Sequence, residues 1–107
     1  VSVSIVSQSL VTMLPKKRVP THLGKILLQE FLTPLGVSES KLARHLGVSI
    51  QRINEIVRGR RGVSAETAWL LSYAFGTTPE FWTSLQTNHD LVASRPRRIV
   101  RRLRTVV

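Results

Sequence analysis

The sequence predicts an all-α fold, a compact bundle of five helices between residues 19 and 94. Two features carry the prediction. Five times in that stretch a residue suited to capping a helix precedes an apolar run at helical spacing, and the connectors are short. Nowhere in the same stretch do apolar and polar residues alternate as in a half-buried strand. At 107 residues the chain fits one small domain, and 42% hydrophobic residues suffice for a modest core.

Thr21 can cap a first helix that runs to about Leu32, with Ile26, Leu27, Phe31 and Leu32 apolar; Pro34 and Gly36 are expected to end it. Ser38 caps a second, carrying Leu42, Ala43 and Leu46, with Gly47 as its stop. Ser49 caps a third, which sends Ile53, Ile56 and Val57 inward and ends near Gly59. Ser64 caps a fourth, with Ala68, Leu71 and Phe75 on one face, the small Ser72 among them, and Gly76 where a helix-ending glycine belongs. Thr78 followed by Pro79 opens the fifth, which presents Phe81, Trp82 and Leu85 and fades near Val92.

Charge divides the chain further. The 16 Lys+Arg exceed the 6 Asp+Glu by ten, but residues 19–94 hold only +1 of that excess. An N-terminal arm, 1–18, holds +3, and a basic tail, 95–107, holds +6 in six arginines. Four of the seven bases of the middle domain lie between Arg52 and Arg61. The surplus indicates an anionic partner, with nucleic acid ahead of an acidic membrane or protein surface. The absence of cysteine excludes disulfides, thiolate catalysis and Cys-based zinc fingers. No apolar run approaches the roughly 20 residues of a membrane span.

The second and third helices carry a sharper pattern. In Leu42-Ala43-Arg44-His45-Leu46-Gly47-Val48-Ser49, the small Ala43 lies where two helices would cross closely. Gly47 follows four residues later, where the turn needs positive φ, and Val48 plugs the turn. This is the apolar skeleton of a DNA-binding helix-turn-helix, although an αα-hairpin that binds nothing shares it. The outward face of the third helix favours DNA. Gln51 and Asn54 offer the paired donor and acceptor that an adenine edge requires, and Ile50 can touch a thymine methyl. Ser49 and Arg52 suit phosphates at the helix start, and Arg58, Arg60 and Arg61 suit the backbone beside the groove. Glu55 either accepts from cytosine or holds an arginine in place, and the second role is the expected one.

Catalysis has little support. His22, His45 and His89 lie far apart in sequence, no glycine-rich phosphate loop occurs, and no metal ligand set is expected. His45 is expected at the surface. Glu66 and Glu80 sit where they complement helix dipoles. Asp90, Glu39 and Lys41 read as solvated. No catalytic residue, cofactor or small-molecule substrate is assigned.

Longer stretches resemble a known family. Val19-Pro20-Thr21-His22, Gly24, the run Ile26 to Leu32 and Pro34-Leu35-Gly36 are similar to the opening of HigA-type antitoxins, also called virulence-associated protein I. These belong to the Xre helix-turn-helix family, with a lambda-repressor-like fold. The similarity continues through LARHLGVS, RINEIVRGRRGVS, ETAW, AFGTTPEFW and Leu85-Gln86, and covers about residues 14–94. Leu23 and Lys25 depart from it, standing where the family commonly has Pro and Glu. The resemblance implies an antitoxin of the bacterial cytoplasm. Such a protein neutralises a HigB-like, RelE-class mRNA-cleaving toxin and, as a homodimer, binds double-stranded operator DNA to repress its own operon. It also implies dimer contacts on the fifth helix, at Phe81, Trp82, Leu85 and His89. Of Phe81 and Trp82, Trp82 is the expected interface residue, because two adjacent large aromatics cannot both face one small core. Trp69 lies off the core face of the fourth helix, as a second core contact or a partly exposed anchor.

Residues 1–12 open with Val-Ser alternation, as an exposed strand or an unordered segment would, and lack the basic start of a signal peptide. Met13 is expected as a natural start, with 1–12 as upstream sequence; an arm that wraps a toxin is the competing reading. The tail would place Ile99, Val100 and Leu103 on one side if helical, and reads equally as a basic arm or as a solubilising tail. Three function classes follow: antitoxin and autorepressor, orphan Xre-type repressor, and an interaction module that binds no DNA.

Overall fold

The computed structural model describes residues 19–104, and the readings made for residues 1–18 and 105–107 lie outside them. All regular structure among the described residues is helical. Helix α1 begins at Leu23–Ile26, continues without a break as a π-helical segment, Leu27–Leu32, and closes with the turn Thr33–Leu35. Then follow α2 (Glu39–Leu46), α3 (Ile50–Val57), α4 (Ala65–Phe75) and α5 (Pro79–Ala93). Four of the five expected caps are in place. Ser38, Ser49, Ser64 and Thr78 each accept a hydrogen bond from the backbone N–H three residues on, at 3.0–3.2 Å.

The first helix differs from expectation at both ends. Its cap is His22, not Thr21: the His22 Nδ1 accepts from the Gly24 N–H at 2.9 Å. Pro34 does not stop it, and Gly36, at φ 64°, does. The π-type turn explains the tolerance. Thr33 N–H bonds five residues back to the Leu28 carbonyl. This wider winding eases the clash between a proline ring and the carbonyl four residues before it, and Pro34 has no N–H to leave unpaired. The departure Leu23 opens the helix fully buried, and Lys25 is exposed.

The turn between α2 and α3 forms as the sequence demands. Gly47 is left-handed at φ 76°, and the N–H groups of Gly47 and Val48 both reach the Ala43 carbonyl, at 2.9 and 3.0 Å. Ala43 is buried at the crossing, and Val48 packs against the core. Gly24 brings α1 onto α3: a Cβ there would collide with the backbone carbonyl of Ile56, which no side-chain movement can relieve. Leu23, Leu27, Leu32, Ile53, Ile56 and Leu71 form the centre of the core.

Trp82 completes that core, which corrects its expected place at the interface. It has no accessible surface, whereas Phe81 is 39% exposed. Only one of the two adjacent rings enters the core fully, and it is the indole. Phe31 from α1 and Phe75 from the end of α4 form a slot whose ring centres lie 5.1 and 6.3 Å from Trp82. Thr77 supplies the acceptor that a buried indole needs, with Nε1 donating to Oγ1 at 2.8 Å.

Candidate nucleic-acid interface

Helix α3 presents its polar face outward because Ile53 and Ile56 are fully buried beneath it. Ser49, Ile50, Gln51 and Arg58 are exposed, and Ile50 keeps 54% of its surface. Arg60 and Arg61 stand exposed in the loop that follows. Arg52, Asn54 and Glu55 are half-buried. The Ser49 hydroxyl oxygen caps the Arg52 N–H at 3.1 Å, which leaves its own hydrogen free to donate to a phosphate.

Glu55 takes the second of its two expected roles. Its Oε1 lies 3.0 Å from Arg61 Nε, and its backbone carbonyl accepts from the Arg60 and Arg61 N–H groups at 2.8 and 3.2 Å. One residue of α3 thus fixes both the course of the arginine loop and the direction of one guanidinium. Gln51 Nε2 lies 3.5 Å from Glu55 Oε2, a long contact that constrains the amide little. Arg52, Arg58 and Arg60 pair with no carboxylate among the described residues. Arg52 and Arg61 line a cleft of about 410 Å³ with Gly62, Ser64 and Thr67 at the start of α4, a setting suited to a backbone phosphate; Glu66 lines it too.

Asn54 is less free than its sequence position suggests. Its Nδ2 donates to Glu39 Oε1 of α2 at 3.0 Å, across the helix-turn-helix. Glu39 is therefore a half-buried partner and not the solvated residue expected. The amide is held in one orientation, with its carbonyl oxygen left to accept.

Sequence spacing missed the support behind the arginine loop. Gln86 of α5 accepts the Val63 N–H at 3.0 Å and donates to Asp90 Oδ2 at 2.6 Å. Any side chain at Gly62 would strike the Gln86 amide. Two of the three histidines, distant in sequence, also meet here: His22 and His89 stand edge to face with ring centres 4.9 Å apart. His89 Nδ1 lies 3.4 Å from Asp90 Oδ1. Among the described residues no three His, Cys, Asp or Glu side chains stand together to hold a metal ion.

Burial holds the His22 imidazole below its ordinary value of 6.5; the His89 charge adds to this and Asp90 opposes it. The cap bond needs the same neutral ring, with Nδ1 unprotonated. The unfolded chain therefore takes up the proton first. His22 contributes its full stability above pH 6.5 and loses it as pH falls through the depressed folded value. In urea titrations, stability is expected to decline below pH 6.5. The variant His22→Asn, which caps without titrating there, should flatten that decline; an equal decline in both proteins would remove His22 as its source. Asp90, held below 3.8 chiefly by the Gln86 amide, acts in a separate, more acidic window.

The four residues expected at a dimer contact do not form one exposed patch. Trp82 is buried, Leu85 leans on the core, and His89 is half-buried against His22. Phe81 keeps exposed surface. Trp69 is no second core contact: it is 51% accessible and lies 5.8 Å from the ring of Tyr73 one turn later. Tyr73 was not singled out by the sequence, although its i, i+4 spacing from Trp69 was there to be read.

A capped helix with an exposed polar face, set across a glycine turn from a partner of equal length and followed by an arginine loop, defines a helix-turn-helix protein. Residues 28–82 match the helix-turn-helix family HTH_3, and the chain belongs to this family, in its Xre group. It is 49% identical over 70 residues to virulence-associated protein I of Dichelobacter nodosus, a match covering 65% of each chain. The structure is similar to that of antitoxin GraA, at TM-score 0.70 and 48% identity, covering 72% of this chain and 83% of that one. It is also similar to Pseudomonas aeruginosa antitoxin HigA with higBA promoter, at TM-score 0.69 and 43% identity, covering 70% of this chain and 82% of that one.

Proposed function

We propose that the chain is the antitoxin of a type II toxin–antitoxin pair. It neutralises a HigB/RelE-like mRNA-cleaving toxin and, as a homodimer, binds operator DNA to repress its own operon. The observation that carries the DNA half is the face of α3. Gln51 is free to read a base edge, Ile50 is exposed beside it, and Arg61 is aimed by Glu55 next to the unpaired Arg58 and Arg60. Asn54 offers its carbonyl oxygen, and Ser49 and Arg52 face the backbone at the helix start. Similarity to an antitoxin solved with promoter DNA supports the same assignment. Similarity to antitoxins supports the toxin half. The exposed Trp69–Tyr73 pair supports a protein contact, because interfaces are enriched in such rings.

Two measurements test this function. In a gel shift at low salt, the chain should bind its own promoter at palindromic half-sites about one helical turn apart. Absence of binding would reject the DNA half. Co-expression should restore growth to cells expressing the toxin-like reading frame beside its gene. Promoter binding without rescue would leave a repressor that lacks a toxin partner.

A further inference from the structure

We infer that residues 95–104 are a second DNA-contacting element, an arginine arm that grips duplex phosphates flanking the site read by α3, whatever their sequence. The inference extends the DNA assignment above.

The arm carries Arg95, Arg97, Arg98, Arg101, Arg102 and Arg104 and no acidic residue. None of these arginines is paired among the described residues, and all are exposed. The arm forms no helix, so Ile99, Val100 and Leu103 do not gather into the apolar face that a helical tail would have. They are 95%, 73% and 102% exposed, and nothing in the domain holds them. An irregular chain with an unpaired guanidinium at more than every second residue is able to follow a row of phosphates, which the planar fork of arginine binds in bidentate fashion.

The place where the arm leaves the domain is the second observation. Gln86 ties α5 to Val63, just beyond the arginine loop, at 3.0 Å. One turn further on, His89 packs against His22, and a Cβ at Gly59 would lie 3.7 Å from the His22 ring. Through His22 and Gln86, the C-terminal half of α5 is thus tied to the end of α3 and to the loop that carries Arg60 and Arg61, and the arm begins within two turns of His89. Ten extended residues span roughly 33 Å, close to one turn of duplex. The arm lies beyond residues 28–82, which match the family.

The test uses the full chain and the variant R97Q/R98Q/R101Q/R102Q, titrated from 50 to 200 mM salt on a random-sequence duplex and on the promoter. Each neutralised phosphate contributes about 0.9 to the slope of log affinity against log salt. The four substitutions should reduce that slope by about 3.6 per bound chain on both duplexes. The unfolding midpoint should not move, because no core contact is lost. Equal slopes for variant and parent on duplex DNA would overturn the inference. A reduced slope on random duplex, together with no preference for the promoter, would support the arm and reject the reading of α3 as a base-specific helix.

Discussion

Replacing Trp82 with alanine is expected to lower the free energy of unfolding by about 3–5 kcal/mol. Domains of this size are commonly stable by about 5–15 kcal/mol, so the variant should lose much of its stability. The ring has no exposed surface and is enclosed by Phe31, Phe75 and Phe81, each within 6.3 Å between ring centres. Its removal leaves a cavity where helices α1, α4 and α5 meet. Trp82→Phe should cost much less, since a ring still fills the slot and Thr77, half-buried, can turn to water. The measurement is a urea midpoint taken over a hundredfold range of protein concentration. A core residue gives a deficit independent of concentration. A deficit that appears only where the parent is dimeric would return Trp82 to an interface.

Gln51→Ala is expected to weaken promoter binding by about 1–3 kcal/mol, the discrimination of one bidentate base contact, and to relax the preference at a single base pair. The fold should not register the change, because Gln51 is exposed and its one contact, to Glu55, is long. Competition among promoters substituted one base pair at a time measures both effects. Unchanged affinity would remove Gln51 from the reading face, and an equal loss on random duplex would make it a backbone contact. Asn54→Ala is a less clean probe. It leaves the half-buried Glu39 without its donor, so a loss of stability accompanies any loss of binding.

The helix boundaries were legible because local chemistry sets them. Ser38, Ser49, Ser64 and Thr78 cap through oxygens three residues from the N–H they serve, and Gly47 and Gly76 end helices by taking the left-handed conformation. The reading face of α3 was legible for a related reason: buried Ile53 and Ile56 fix the direction in which Gln51 and Arg58 must point. Where more than one neighbour could serve, local chemistry did not decide. Thr21 and His22 both offer a capping atom. Glu39 looks solvated until α3 sets Asn54 beside it. Gln86 shows no link to the arginine loop 23 residues earlier.

The sequence by itself thus determined an all-α chain, its helix-turn-helix and the residues on its outer face, because capping, turn conformation and helical period act within a few residues. Only the tertiary structure decided which of two adjacent aromatics enters the core, that Glu39 holds the Asn54 amide, and that His22 and His89 share a corner with the end of α3. Those outcomes depend on the shape of a slot built by three helices and on side chains brought together from distant positions. A single tryptophan or glutamate carries no mark of either.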